Sequence, residues 1–269
     1  EQIPVGSWDG SFGYLTLAGP GVLFYANLGE GGSDGVLRSR DGGDRWEFLT
    51  AGMSDLRPAQ QVVAQGADIA FASDRSGRLL AWRPATQRWE VILTPANAYT
   101  PLGQLSLAPD GSLLLLAYDH GQRSTDGGRT WIDVALPELS GQIVGFATDY
   151  AASPTVYAYF GIADPHLARS PDGGVTWERL SAQPPIQPYA PNFKFAVMGQ
   201  TLYLYASEYT GSARLARSLD GGATWQEADG TTLQGSQQLA LGPDGRLWLG
   251  FPGQVRILDP DTLRWTSSD

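Results

Sequence analysis

The sequence predicts an all-β fold: a six-bladed β-propeller of four-stranded antiparallel blades, with seven blades as the alternative. A motif of the form S-x-D-G-G-x-x-W occurs four times, and units that end in tryptophan recur every 40 to 48 residues. A period of this length is typical of repeat architectures. Each period holds four short strand patterns separated by turn residues, as a propeller blade does. The six tryptophans are Trp46, Trp89, Trp131, Trp177, Trp225 and Trp265.

The repeated motif predicts a tight β-hairpin. Its two glycines permit positive φ in the turn, and its Ser and Asp side chains can bond nearby backbone groups. The tryptophan then begins a strand, and we expect it to wedge between neighbouring units. These residues are therefore predicted to be structural: Ser39, Asp41, Gly43, Trp46, Ser124, Asp126, Gly128, Trp131, Ser170, Asp172, Gly174, Trp177, Ser218, Asp220, Gly222 and Trp225.

Two units replace the motif with a different turn. They read P-A-T-Q-R-W at residues 84–89 and P-D-T-L-R-W at residues 260–265. We interpret both as the same hairpin closed by other chemistry. An Arg precedes each full motif and is absent from these two units, so we expect it to serve local packing rather than to form a positive stripe. The four arginines are Arg38, Arg123, Arg169 and Arg217.

The strand patterns place the whole chain, residues 1–269, in a single domain. The third unit shows the order most clearly, with a strand pattern at 104–108, a turn, a second strand pattern at 113–118, and then the motif. No segment of helical length sustains a 3.6-residue period. The predicted blades span residues 11–50, 58–93, 102–135, 140–180, 191–228 and 235–267.

Composition limits the possible functions. The 269 residues include 34 Gly, 18 Pro and 9 Trp, and 42% of the chain is hydrophobic, which indicates a packed, turn-rich protein. The net charge of −10 argues against nucleic acid as a partner, and no apolar run reaches the roughly 20 residues of a membrane-spanning helix. The absence of cysteine excludes disulfides and thiolate chemistry. A chain that begins at Glu1 fits a mature exported form, so we expect a secreted, periplasmic or cell-surface protein.

The motif resembles the Asp-box, or BNR repeat, of sialidases, sortilin-type receptors and photosystem II assembly factors. The resemblance extends from about Phe12 to Trp265. It implies a propeller whose motifs lie in the hairpins between the third and fourth strands of each blade. By resemblance to sialidases, the active face of such a protein is the opposite one. There the second strand passes to the third, and each blade passes to the next.

That opposite face supplies the predicted binding residues. Its loops combine acidic side chains with aromatic ones, which suits a sugar or a peptide rich in Arg, Lys or Pro. The acids are Glu30, Asp34, Asp55, Asp74, Asp119, Glu138, Asp164 and Glu208. The alternative is an acidic loop surface that is only solvated. The candidate residues are Tyr99, Tyr118, His120, Phe160, His166, Tyr189, Glu208 and Tyr209.

A second set of polar residues stands where the first strand of each blade begins. In the predicted propeller these strands line the central channel, so the residues would form a collar there. Their side chains would hold a polar ligand or, as we favour, ordered water and hydrogen bonds between blades. The collar residues are Tyr14, Gln61, Gln104, Gln142, Lys194 and Gln238.

The sequence lacks the sialidase catalytic set. The family has an Arg in the first inner strand, but residues 12–17 read F-G-Y-L-T-L, and an amide cannot replace a bidentate Arg clamp. Glu208 and Tyr209 are adjacent, so on a strand they would point to opposite faces. The two histidines have no second ligand at metal-binding spacing. We therefore assign no catalytic residue, no metal and no cofactor.

The function predicted from the sequence is an exported, non-catalytic module that recognises a protein or a glycan through this loop face. One alternative is a glycan-active hydrolase of the Asp-box type. Another is an accessory or assembly subunit of a larger membrane or photosynthetic complex. No direct membrane insertion is expected.

Overall fold

The computed structural model describes residues 13–27, 35–53, 59–74, 77–94, 104–108, 110–116, 121–136, 142–148, 155–161, 165–186, 193–207, 213–228, 238–241, 246–251 and 254–268. None of these residues lies in a helix. They form six sheets of four strands, and within each sheet consecutive strands pair antiparallel. These sheets confirm the predicted fold class, a six-bladed β-propeller of four-stranded blades.

Blades 1 to 6 each take four consecutive strands, in chain order. The strands are β1 Gly13–Gly19, β2 Val22–Asn27, β3 Gly35–Ser39, β4 Glu47–Leu49, β5 Ala59–Gln65, β6 Ile69–Asp74, β7 Leu79–Arg83, β8 Arg88–Leu93, β9 Gln104–Leu107, β10 Leu113–Leu116, β11 Gly121–Ser124, β12 Ile132–Val134, β13 Gln142–Thr148, β14 Val156–Gly161, β15 His166–Ser170, β16 Glu178–Arg179, β17 Phe193–Met198, β18 Thr201–Ser207, β19 Ala213–Ser218, β20 Gln226–Glu227, β21 Gln238–Leu241, β22 Leu247–Phe251, β23 Gln254–Leu258 and β24 Trp265–Ser268.

The chain divides into two compact units. The first comprises Glu1–Leu107, Gly111–Ala117 and Gln122–Ile132, and therefore most of blades 1 to 3. The second comprises Ala108–Asp110, Tyr118–Gly121 and Asp133–Asp269, and therefore most of blades 4 to 6. That residues 1–269 make a single domain stays a prediction.

Within each unit the core lies between successive blades. In the first unit, Phe24 and Val36 of blade 1 share a buried cluster with Leu80 and Trp89 of blade 2. In the second unit, Tyr203 of blade 5 is buried in one cluster with blade 6 residues. The middle strands are buried on both faces, which explains why β10 reads as four consecutive leucines rather than as an alternating pattern.

The tryptophan that ends a blade packs against the preceding blade. Trp89 donates its indole N–H to the carbonyl of Leu49, at 2.8 Å, and its backbone N–H to the carbonyl of Ala51, at 2.8 Å. Trp131 packs on the cluster shared by blades 2 and 3, and Trp265 packs on the cluster shared by blades 5 and 6. At these junctions the tryptophan acts as the wedge that the sequence predicts.

Candidate functional site

Each full motif folds into a hairpin turn that satisfies its own polar groups. In the second copy Ser124 donates its hydroxyl to Asp126, at 2.8 Å, and accepts the N–H of Gly128, at 2.8 Å. Oδ1 of Asp126 accepts the N–H of Thr130, at 2.9 Å, and Oδ2 accepts its hydroxyl, at 2.7 Å. Trp131 closes the turn by donating its indole N–H to the carbonyl of Gly128, at 3.1 Å.

These hydrogen bonds stabilise the ionised carboxylate of the motif. Bonds from the hydroxyl and the N–H of Thr130 hold the pKa of Asp126 well below its usual range. The equivalent bonds from Thr224 lower the pKa of Asp220 to about 2. A carboxylate held in this way works as a turn acceptor, and it is badly suited to exchange protons with a substrate near neutral pH.

The two units without the motif use other acceptors. In blade 6 the Oδ1 of Asp259 accepts N–H bonds from Asp261, at 3.0 Å, and Thr262, at 2.8 Å. In each of these hairpins a residue other than glycine takes positive φ: Gln87, at 50°, and Leu263, at 54°. Both stand two residues before the tryptophan, so the same hairpin path is reached without the paired glycines.

The arginine before each motif is held locally, as the sequence analysis expects. Arg38 is buried, donates to Glu47 at 2.6 Å and to the carbonyl of Ala67 at 2.6 Å, and lies 5.7 Å from the ring centroid of Trp82. The other three also contact nearby groups: Arg169 pairs with Glu178, Arg217 donates to Gln226 and to the carbonyl of Pro260, and Arg123 donates to Ser112. These side chains are taken up by packing between strands and blades.

Two of the predicted binding residues on the loop face lie within described residues. Phe160, one residue before the end of β14, pairs with His166, and the two rings stack with centroids 4.9 Å apart. Both side chains are fully buried, so a ligand would reach them only through the residues that cover them. The segment 160–166, read from the sequence as a loop, therefore begins and ends inside paired strands. The six remaining candidates lie outside the described residues: Tyr99, Tyr118, His120, Tyr189, Glu208 and Tyr209.

The collar residues all fall within the first three positions of the first strand of a blade. Gln61 donates its amide N–H to the carbonyl of Leu105, at 2.9 Å, and its amide oxygen accepts the N–H of Leu105, at 3.0 Å. Because Leu105 belongs to the next inner strand, this side chain ties two blades together. Lys194 is half-buried, and burial lowers the pKa of its ammonium group. The side chains of Tyr14, Gln104, Gln142 and Gln238 lie outside the described part.

Two contacts near the loop connections were not predicted from the sequence. Asp74, read there as one of the loop-face acids, is fully buried and accepts the side-chain N–H of Arg78, at 2.9 Å, as well as its backbone N–H, at 2.9 Å. Thr16 donates its hydroxyl to the carbonyl of Val62 in the next blade, at 2.7 Å. The first contact could have been predicted, because Asp74 and Arg78 are four residues apart in a turn that contains Gly77. The second has no local signal.

The described residues hold neither a cluster of metal-ligating side chains nor a membrane-spanning helix. No group of three or more His, Asp or Glu in that part of the chain is arranged to hold a metal ion. Nor does any described segment form a helix long and apolar enough to cross a membrane.

The fold and the hairpins define the class: a β-propeller of six four-stranded blades, four of them closed by a Ser-Asp-Gly-Gly turn. No protein-family model and no curated protein sequence matches the chain.

The fold is similar to several solved structures. A catalytically inactive variant of virginiamycin B lyase from Staphylococcus aureus, with quinupristin, is 11% identical with a TM-score of 0.68, covering 99% of this chain and 87% of that one. YCF48 bound to D1 peptide is 20% identical with a TM-score of 0.55, covering 74% of this chain and 62% of that one. YCF48 from Cyanidioschyzon merolae is 14% identical with a TM-score of 0.53, covering 93% and 94%. This chain thus spans less than two thirds of the YCF48 chain in the peptide complex. At these identities the similarity establishes the fold.

Proposed function

We propose that this protein is a non-catalytic propeller that binds a protein partner through the loop ends of its blades. The loop end is the set of connections between the second and third strands of a blade and between one blade and the next. Antiparallel strands alternate in direction, so both kinds of connection leave each blade at the same end. The hairpin end carries the S-x-D-G-G-x-x-W turns.

One observation carries the proposal: the polar side chains of the repeated motif make their hydrogen bonds within their own turns. Ser124, Asp126 and Thr130 bond to one another and to the local backbone, and the same contacts recur in the copies of blades 4 and 5. The motif is therefore framework. Recognition is then left to the connections that differ between blades, as is usual for loops on a rigid scaffold.

The loop-end connections are long and chemically distinct. The links from one blade to the next run from seven residues at 135–141 to 13 residues at 180–192. The loop-end connections hold eight carboxylates and three arginines, one of which, Arg78, is already paired with Asp74. Tyrosine adds adaptable contact area at low entropic cost. This composition favours a partner with a basic surface. The carboxylates are Glu30, Asp34, Asp55, Asp119, Glu138, Asp164, Glu208 and Asp229.

The comparisons support a protein as the ligand. A propeller of similar fold, YCF48, is known in a structure bound to D1 peptide. By analogy with that complex, we infer that this chain also takes a polypeptide, as an accessory or assembly subunit would. Export to the periplasm, the cell surface or the medium stays a prediction.

Site-specific photocrosslinking tests the proposed surface. A photoreactive phenylalanine analogue replaces Tyr189 or Tyr209, and the matched control carries it at Phe48, an exposed residue of the outer strand β4. In extract of the source organism we expect one crosslinked protein shared by the two loop-end positions and absent from the control. The same product at all three positions, or at Phe48 alone, would place recognition elsewhere.

Charge complementarity is tested on the partner that the crosslink identifies. The double variant Asp119→Asn with Glu208→Gln removes two loop-end charges, and Asp44→Asn with Asp261→Asn removes two at the hairpin end. We expect the first to weaken binding roughly tenfold at low salt and the second to leave it unchanged. Equal effects would show that net charge, rather than the loop end, governs binding.

A further inference from the structure

Lys194, the single lysine of the chain, occupies an unusual place. It is the second residue of β17, the first strand of blade 5, and it is half-buried. Alternate residues of a strand share a face. Ala196, two residues further on, lies in the cluster with Leu247 and Leu249 of blade 6. The side chain of Lys194 is therefore on the face of β17 that looks toward blade 6.

The equivalent residue in blade 2 is Gln61. Each of the two residues pairs with the fifth residue of the next strand, Gln61 with Ser73 and Lys194 with Tyr205. The amide of Gln61 gives one hydrogen bond to Leu105 and accepts one from it. At this position, then, a side chain can satisfy both the N–H and the C=O of the neighbouring inner strand.

The corresponding strand of blade 6 is β21, which contacts β17. Leu239 has the same register in blade 6 as Leu105 has in blade 3. Each follows the Gln that begins its strand. Each also pairs with the third residue of the second strand of its blade: Leu239 with Leu249, and Leu105 with Leu115. By this register, its backbone N–H and C=O correspond to the groups of Leu105 that bond to Gln61. An ammonium group can donate to the C=O of Leu239 but has no acceptor for its N–H.

Where Gln61 supplies a donor and an acceptor, Lys194 therefore supplies donors only. Within the described part of the chain no carboxylate pairs with Lys194. Burial lowers the pKa of this lysine, as expected for an ammonium group that has lost water without gaining a counter-charge.

We propose that the ammonium group of Lys194 and the N–H of Leu239 together bind a carboxylate between the inner strands of blades 5 and 6. Two carboxylate oxygens match the two donors, and the negative charge neutralises a half-buried cation. The site takes a ligand of the opposite charge to the one that the acidic loop-end surface favours. The carboxylate is either a free small acid or an acidic side chain of a partner.

Because the chain has one lysine, this site can be observed directly. Reductive methylation with ¹³C-formaldehyde labels Lys194 and the chain terminus, and the variant Lys194→Gln identifies the Lys194 resonance. We expect a saturable shift of that resonance with sodium acetate and none with the neutral isostere acetamide at equal ionic strength. Two further titrations, one with N-acetylaspartate and one with a peptide rich in Asp, distinguish a free small acid from an acidic side chain of a partner. If the peptide shifts the Lys194 resonance at lower concentration than N-acetylaspartate does, the ligand is a side chain of a partner; the reverse order indicates a small acid.

Thermal unfolding of the unlabelled protein supplies the second readout. Lys194→Gln restores the residue of four other blades, so it should fold, and acetate should no longer raise its Tm above the value in chloride. Lys194→Arg should keep the response. The proposal is overturned if native protein and Lys194→Gln respond alike. It is also overturned if the Lys194 resonance ignores acetate but moves in Glu208→Gln, since the counter-charge would then belong to the chain itself.

Discussion

Thr130 donates its side-chain hydroxyl to Oδ2 of Asp126, at 2.7 Å, inside a single hairpin turn. The contact recurs in blades 4 and 5, at 2.6 and 2.5 Å. In blade 1 the residue before the tryptophan is Arg45, so from that position Asp41 accepts a backbone N–H, at 2.9 Å, but no hydroxyl. The first turn therefore lacks a hydroxyl bond to its Asp that the other three turns have.

Restoring that bond should stabilise the protein. We expect Arg45→Thr to raise the Tm by roughly 1–3 °C, because the added hydroxyl bond to a charged acceptor outweighs the exposed charge interaction between Arg45 and Asp41 that is lost. Differential scanning calorimetry measures the effect. The control is Arg45→Val, which removes the same guanidinium and adds a branched side chain without the hydroxyl. An equal gain in both variants would show that loss of the arginine is responsible.

Acid should weaken the same turns. The folded pKa values of Asp41, Asp126 and Asp220 lie below the ordinary value of 3.8, to about 2 for Asp220. A depressed folded pKa contributes stability that is fully present above the unfolded pKa and is lost as pH falls through the folded pKa. We therefore expect the urea midpoint to hold above about pH 5 and to decline between about pH 4 and pH 2.

Asp126→Asn separates this effect from general acid denaturation. The amide keeps much of the turn geometry but has no proton to take up. The variant should be less stable than the native protein at pH 6, and the difference should shrink toward pH 2. A difference that stays constant across this range would contradict the linkage.

How much of this structure the sequence predicts depends on the range of each interaction. The S-x-D-G-G-x-x-W turn is local, since Ser124, Asp126 and Thr130 lie within seven residues and act on one another, so the hairpins and the blade count follow from the sequence alone. The partner of Gln61 is Leu105, 44 residues away. Which of its possible roles the amide plays is decided only when two blades meet.

The loop-end candidates show a second limit. From the sequence, Phe160 and His166 flank a short segment with Gly, Asp and Pro, and they are expected to be exposed aromatic residues of a loop. In the structure the strand pairing continues to both residues, and the stacked rings are buried. An alternating hydrophobic pattern does not reveal where a strand ends, because the same residue types occur at the last paired position and at the first position of the loop. Asp74, a predicted surface acid, is buried against Arg78 for the same reason.

The hairpin of blade 2 holds Gln87 at φ 50°, a conformation that favours glycine or asparagine. Gln87 is exposed, so a substitution changes little else. We expect Gln87→Gly to raise the free energy of unfolding by about 0.5 kcal/mol, since relief of the strained backbone exceeds the added entropy of the unfolded chain. Gln87→Val should lower it by about 1 kcal/mol, because a β-branched side chain tolerates this region poorly. Urea unfolding at pH 7 measures both, and the same sign for both variants would refute the backbone explanation.

Gly52 provides the sharpest test of how the blades meet. Its φ is 86°, and a Cβ at this position would lie 2.2 Å from the backbone carbonyl oxygen of Trp89, in the junction where Trp89 bonds to Leu49 and Ala51. Because that obstacle is backbone in the next blade, neither element can yield without breaking those bonds. Gly52→Ala should therefore cost about 3 kcal/mol or more.

The matched control is Gly66→Ala, which has a similar φ of 64° but no heavy atom within 4 Å of the added Cβ. It should cost only about 1 kcal/mol, the penalty of the left-handed backbone. The difference between the two variants in urea unfolding isolates the contact between Gly52 and Trp89. Red-edge fluorescence of the tryptophans gives a second readout, since displacement of Trp89 should increase solvent exposure only in Gly52→Ala. Equal losses of stability in the two variants would mean that this junction does not depend on the close approach of Gly52 to the backbone of Trp89.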